Sequence, residues 1–549
     1  MAHTDVRISA SGVPPGTPIG ATVTFQVGSI PTATVHLAPP GGMQVDNASF
    51  GNIDTMKRQE ASLDINVMVH TGPANAVQRR LKFKGLLDGM SLSNMVGSNN
   101  YEAVLKNKSQ TLLEITTMMP GLLPTSVNPF KNADHALVVN SQGGSNIEAE
   151  IAWGKITRGI SVQQSPLGFY TDLMKRIIDK QKSGWADMRG TDGCLASGQP
   201  LDKIFNDGRY KKALTAAQEM FNNIDISAVS GGSIGSIAAD TPTIMSQMRS
   251  MFLQGSPVLL ENYMNFLNTL GCTLIFSNYR MIVVPQNSVI KQGDKRPGKG
   301  ELQSAPNAAG PADYTAYTYS DNGYRDIAMI IVTTGNVVGG HYLGGLNYDS
   351  GGMAYFAEDE SLSKASGVLV VQAHPFMTVS ATAPAPGDAK EARQDFDDKQ
   401  HSMYSKKRKF SDIRSAVAKK HADTANKKAA ATKSKFRDVM DNYAQTKFYQ
   451  TRFHDRHGSI TMDFNPNWVP GTGGSLYIRE TGSFIHFYVN SVTHRVDIHA
   501  PNSGTALTTV NFNCGRFGTN PAGAKEDKYL GYNSGMEQAV QSAFASDIQ

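Results

Sequence analysis

Residues 481–498, TGSFIHFYVNSVTHRVDI, read as one long strand around which a folded chain would build a sheet. Phe484, Ile485, Phe487 and Val489 make a nearly continuous apolar stretch. Val492, His494, Val496 and Ile498 then alternate with Ser491, Thr493, Arg495 and Asp497. The first pattern predicts burial on both faces, and the second a wall with one face toward water. His486 and His494 stand on the same face but roughly 26 Å apart, at about 3.3 Å per residue. One zinc ion, with bonds of about 2 Å, cannot take both as ligands.

Around this strand the 549-residue chain offers length for three to four domains. Charged residues at 18% and 52 glycines point to a loop-rich, β-leaning molecule rather than a helical bundle. Three distant cysteines, Cys194, Cys272 and Cys514, speak against a disulfide framework and fit assembly in a reducing cytoplasm. The opening MAHTDVRISASGV lacks the basic-then-apolar order of a signal peptide. No run of about 18 apolar residues is present to span a membrane.

The first 155 residues are β in character. ATVTFQV, ASLDINVMVH, RRLKFKGLLDGMSLS, TLLEITTMM, HALVVN and IEAEIAW are separated by turn clusters such as PPG and SQGGSN. From about 165 to 275 the period becomes helical, as in PLGFYTDLMKRIIDKQK, PLDKIFNDGRYKKALTAAQEMF, TIMSQMRSMFLQ and SPVLLENYMNFLNTLG. TLIFSNYRMIVVP returns to strand, and YRDIAMIIVTT and GVLVVQAHPFMTVS continue it. Asp388 to His457 contains neither Gly nor Pro, which favours helix. The expected organisation is a mixed, mainly β (α+β) chain: an N-terminal β-barrel-like domain over 1–160, a helical domain over 161–275, and an α/β or β domain with a long exposed loop over 276–385. A basic helical insertion over 386–455, a second β-barrel-like domain over 456–520 and a polar tail over 521–549 complete it. That tail contains one short amphipathic piece, MEQAVQSAFA.

The net charge of +5 is unevenly placed. Residues 388–449 carry 12 Lys and 4 Arg against 8 Asp and 1 Glu, so that segment is at +7 and the remainder at −2. Lys406, Lys407, Arg408, Lys409, Lys419, Lys420, Lys427 and Lys428 are the candidates for contact with phosphates or with an acidic partner. Interspersed aspartates and the lack of a base-reading motif limit any DNA contact to a non-specific one, and a solvated helical face explains the same residues.

Three motifs suggest chemistry. Gly231-Gly232-Ser233-Ile234-Gly235 fits the G-x-S-x-G turn of serine hydrolases, but the strand before it is short and no histidine partner follows from spacing. A Gly/Ser linker between helices accounts for it, with a hydrolase as the alternative. GDKRPGKG, residues 293–300, has Gly300 where a phosphate loop needs Ser or Thr, and Pro297 removes a backbone donor. It reads as a surface loop. In FHDRHG, His454 and His457 lie three apart where a helix ends, so they suit capping of that end better than a metal lacking a third ligand. Neither a catalytic residue, a cofactor nor a metal is expected.

GSITMDFNPNWVPGTGGSLYIRETGSFIHFYVNSVTHRVDIHAPNSGTALTTVNFNCGRF resembles the C-terminal β domain of tail baseplate hub proteins. These belong to contractile-tailed bacteriophages, and a related hub portion occurs in type VI secretion spike proteins. Phe464-Asn465-Pro466 ends one strand, Pro470-Gly471 makes a tight turn, and SLYIRE begins the next strand. Val489, Val492 and His494 fall in a V-x-S-V-x-H pattern. LKFKGLLDGMSLS with TLLEITTMMPGL, and YMNFLNTLGCTLIFSNYRMIVVP, resemble the first barrel and the helix-to-strand passage of such hubs. The resemblance implies a non-enzymatic, structural virion protein of the tail baseplate, assembled in the host cytoplasm. It would be a homotrimer whose two barrels per chain make a pseudo-sixfold ring. That ring would join a hexameric tail tube to a trimeric central spike carried on a separate chain, and line the channel for DNA. Tape-measure and baseplate wedge proteins are further implied partners. In that setting His494 is a wall residue bonded to a neighbour.

Overall fold

The computed structural model describes residues 4–38, 59–72, 75–95, 98–117, 156–161, 164–186, 200–230, 248, 252, 256–287, 308–309, 314–321, 326–333, 338–342, 345–348, 354–358, 368–373, 447–448, 450–451, 453–478, 483–500, 503–517, 543–545 and 547–548. Six strands come first: β1 (Thr4–Ser11), β2 (Thr17–Gln26), β3 (Thr32–Ala38), β4 (Glu60–Gly72), β5 (Asn75–Met95) and β6 (Ser98–Asn107). A 3-10 helix, Lys108–Glu114, follows where TLLEITTMM predicts a strand. The reason is local: the Asn107 side chain accepts the Ser109 N–H at 3.0 Å and caps the turn, and Leu112 is buried from it.

The helices are α1 (Pro166–Lys182), α2 (Pro200–Asn206), α3 (Gly208–Asn222), α4 (Ser227–Ser230) and α5 (Leu259–Thr269). α1 coincides end to end with its predicted run. Ser165 caps it by accepting the Gly168 N–H at 3.2 Å, and Pro166 occupies the first turn, where no backbone donor is required. β7 (Cys272–Phe276) and β8 (Met281–Pro285) form an antiparallel hairpin. Next come β9 (Ala308–Ala309), β10 (Tyr314–Ser320), β11 (Ile327–Thr333), β12 (Val338–Tyr342), β13 (Gly345–Tyr348), β14 (Ala354–Glu358) and β15 (Val368–Ala373). β16 (His457–Asp463), β17 (Gly473–Ile478), β18 (Ser483–Ala500) and β19 (Ser503–Phe517) complete the set.

The described residues are mostly β, and the sheets are mainly antiparallel. A 12-stranded sheet runs in the order β1-β4-β5-β6-β3-β2-β18-β19-β16-β10, with β17 on β18 and β9 on β17. The N-terminal and C-terminal strand blocks are therefore one continuous sheet, joined where β2 pairs with β18. Among the described residues the hydrogen-bonded path runs from β1 to β10, and β1 also lies against β19 and β2. Length explains the fusion: β18 is long enough to hold two different strands along one edge.

Among the described residues, three large apolar clusters stand out. One lies among α1, α3 and α5, one under the N-terminal strands, and one under the C-terminal strands. The β7–β8 hairpin, buried at all ten positions, separates the first two. Cys272, Leu274, Phe276, Met281 and Val283 join the helical cluster, while Ile275, Ile282 and Val284 join the N-terminal one. A strand covered on both faces reads as an unbroken apolar run, which is what TLIF and MIVV are. Residue 275, placed at a domain boundary by the sequence, lies inside β7. The hairpin turn is fastened to β5: the Lys84 N–H donates to Asn278 Oδ1 at 2.8 Å, and Asn278 Nδ2 donates to Lys82 O at 2.7 Å.

The expected polar tail contains a docked end. Phe544 meets the Phe25 ring edge-on at 5.5 Å. Asp547 is fully buried, its carboxylate accepting the Asn278 N–H at 3.0 Å and its carbonyl the Lys82 N–H at 2.7 Å. Among the described residues no helix is long and apolar enough to cross a membrane.

Candidate functional site

The feature that organises the chain is the edge of β18. Along one edge the strand pairs with β19 from Ile485 to Ala500. Along the other, Ser483 to Tyr488 pair with β17, and Ser491 to Asp497 pair with β2. The changeover falls at Val489 and Asn490, where loop backbone takes over from the ladder. Gly471 N–H donates to Val489 O at 2.8 Å, Val489 N–H to Thr472 O at 2.9 Å, and Val27 N–H to Asn490 O at 3.0 Å.

Pro470 and Gly471 build that corner, and both are buried. Gly471 has φ +79°, and a Cβ there would collide with Ile275 Cδ1 of the hairpin. Only glycine combines that backbone conformation with so close an approach. Thr472 Oγ1 donates to Val469 O at 2.9 Å and closes the turn. Val489 and Val492 point into the C-terminal cluster.

His494 sits in the seam itself, opposite Val23 of β2 and Thr508 of β19. Its Nδ1 lies 2.9 Å from Thr508 Oγ1, which also accepts the Asn465 N–H at 2.8 Å. The Phe25 and Phe464 rings meet the imidazole edge-on, with centroids at 6.3 and 5.5 Å. Burial among them pushes the His494 pKa down to about 3, because a charged imidazolium would lose its water without gaining an anion. This neutral ring ties Phe464-Asn465 to the seam. His486, by contrast, bonds Ser475 Oγ at 2.8 Å across β17 and β18. Among the described residues no group of three or more His, Cys, Asp or Glu could hold a metal ion.

The FHDRHG motif has its structural weight on the residue between the histidines. Arg456 forks onto Asp326, which is 1% exposed, with Nε 3.0 Å from Oδ1 and Nη2 on Oδ2. Asp321 lies 3.5 Å from the same guanidinium. His454 Nδ1 lies 2.8 Å from Thr451 O, and His457 Nδ1 lies 3.0 Å from Asp455 O. A planar fork opposite a buried carboxylate is legible only after folding, since 130 residues separate Arg456 from Asp326.

At the end of the basic run, Lys447 Nζ donates to Asn268 O at 3.1 Å and Gln450 Nε2 to Gly271 O at 2.6 Å. These side chains satisfy carbonyls at and just beyond the C-terminus of α5, a favourable place for a cation. Burial lowers the Lys447 pKa. The basic candidates Lys406, Lys407, Arg408, Lys409, Lys419, Lys420, Lys427 and Lys428 lie outside the described residues, as do Ser233, the GDKRPGKG loop and Cys194.

No family model and no curated protein matches the chain. Among solved structures, it is similar to the 43 kDa tail protein of prophage MuSo2 from Shewanella oneidensis, at 8% identity and TM-score 0.40, over 93% of this chain and 98% of the other. It is similar to a tail protein from Neisseria meningitidis MC58 at 7% identity and TM-score 0.38, over 96% and 99%. A third is an E. coli component of the type VI secretion system described as similar to T4 bacteriophage tail proteins, at 7% identity and TM-score 0.31, over 94% and 78%.

Proposed function

We propose that this chain is a structural tail protein, a baseplate hub in which three copies form a ring between a sixfold tube and a threefold spike. One observation carries the reading: β2 pairs with β18, so strand blocks from opposite ends of the chain stand side by side within each copy. Three copies of a molecule with two adjacent sheet-bearing halves present six comparable surfaces, which is what a threefold object needs to meet a sixfold one. In this reading each half forms a barrel-like wall, and the ring encloses a channel through which DNA passes. Tape-measure and baseplate wedge proteins are further partners in this reading.

Light scattering on the purified chain tests the symmetry directly. The expected particle has three times the 59.2 kDa chain mass. A monomer that persists when tube and spike proteins are added would end the proposal.

A further inference from the structure

The outward face of the long sheet changes character between β6 and β3. On the β4–β5–β6 side it carries opposed charges, with Arg80 on Asp64 and Lys106 on Asp88 at 2.9 Å. From Lys106 a row of directly opposed residues then runs through Thr32, Thr24, Thr493, Thr509 and Thr461, on β3, β2, β18, β19 and β16. A second row, Gln26, Ser491, Asn511, Ser459 and Thr318, lies beside it and reaches β10. Val23, Phe25, Val492 and Val510 alternate with these residues and enter the apolar clusters, so both rows face away from the core. Past the rows, toward the β18–β19 turn, charge returns with Arg495 on Asp497 at 2.8 Å and His36 Nδ1 3.1 Å from Glu102.

Beyond Lys106, every side chain of the two rows is an uncharged hydroxyl or amide. Several already bond one another across the strands: Thr24 Oγ1 to Thr493 Oγ1 at 3.3 Å, Asn511 Nδ2 to Ser491 Oγ at 3.0 Å, and Thr318 Oγ1 to Ser459 Oγ at 2.8 Å. A face between copies would centre on aromatic and apolar side chains, and these rows have none. A face that only meets water is built on the same sheet by β4–β6, and it is charged. A face that grips nucleic acid needs Lys or Arg to displace counterions from phosphates, and neither row has one beyond Lys106. Such a surface can stand against a polyanion without holding it.

We propose, on the basis of the ring described above, that this hydroxyl-and-amide band is the part of each copy that faces the channel, and that it lets nucleic acid pass by offering it no cation. A pore passes its cargo only where contact is weak enough to be left again. Hydroxyls that already bond one another add little to a phosphate contact, and β-branched threonine keeps the wall short and stiff. Both rows cross the β2–β18 seam, so the wall is continuous over the two halves of a copy.

A spin label locates the band. The full chain carrying Cys194→Ser and Thr493→Cys takes one nitroxide per copy, since Cys272 and Cys514 are buried. In the trimer, pulsed electron resonance should give one interlabel distance below about 60 Å, the breadth of a compact copy of this length, with the labels open to a water-soluble relaxant. A longer distance puts the band outside the ring, and closed labels put it between copies; either overturns the proposal while the ring stands. A protein that stays monomeric ends the ring and this proposal together. The missing cations are tested in assembled particles. Thr493→Lys with Thr509→Lys should slow DNA release about tenfold at low salt and approach the wild-type rate at high salt, while Thr493→Ser with Thr509→Ser should change neither. Release by the lysine variant at the wild-type rate in every salt concentration overturns the role assigned to the band.

Discussion

The two halves of β18 share one backbone and one partner, β19, yet live in different surroundings. In the first half, Phe487, Tyr488 and Val489 are buried in succession: Phe487 and Val489 face the C-terminal cluster, while Tyr488 faces Phe453 and Cys514 behind the sheet. In the second half, Val492, His494 and Val496 are buried while Thr493, Arg495 and Asp497 look outward. A strand is thus two-sided where helical and loop segments cover its back, and one-sided where water does. The same comparison predicts how substitutions should divide between the halves.

The largest effect belongs to the two-sided half. Phe487 stacks on Phe512 at 4.1 Å and on Trp468 at 6.3 Å. Phe487→Ala should cost about 3–5 kcal/mol in denaturant unfolding, since the cavity is walled by fixed strands. A loss below 1 kcal/mol would mean that this half is no more constrained than the other.

At the corner between the halves, Gly471→Ala should cost about 2–3 kcal/mol through its backbone conformation and its collision with Ile275. Adding Ile275→Ala relieves only the collision. The double variant should therefore lose less than the two single losses combined, and strict additivity would remove the contact from the explanation.

In the second half, His494 makes stability depend on pH. Its folded pKa of about 3 lies below the unfolded value near 6.5, so the folded state refuses a proton that the unfolded state accepts. The contribution is complete above pH 6.5 and is lost as pH falls toward 3, by about 2 kcal/mol at pH 5. His494→Gln should flatten that slope. Equal slopes for variant and wild type between pH 7 and pH 5 would show that the imidazole is not held neutral.

The smallest effect is on the wet face. Arg495 is 67% exposed in its pair with Asp497, and Arg495→Ala should change stability by about 0.5 kcal/mol or less. A loss above 2 kcal/mol would show that this face is covered by a partner under the conditions of the measurement.

Much of this layout was legible from residues alone. The contrast within TGSFIHFYVNSVTHRVDI was visible as a change from continuous to alternating apolar residues, and α1 was visible from its period. TLLEITTMM misled because apolar and β-branched residues suit a strand, while the capping Asn107 lies just upstream. The corner at Pro470 and Gly471 was visible as a turn, but not its reason, the approach of Ile275.

Local pattern, which needs only neighbouring residues, determined where strands and helices begin and which faces shun water. Tertiary structure alone decided that β2 joins β18, that Arg456 finds Asp326, and that Lys447 and Gln450 meet the end of α5. Each of these rests on a hydrogen bond or ion pair between groups more than a hundred residues apart. Such groups carry no periodicity, and their partners are chosen only when folding brings them together and removes the water between them.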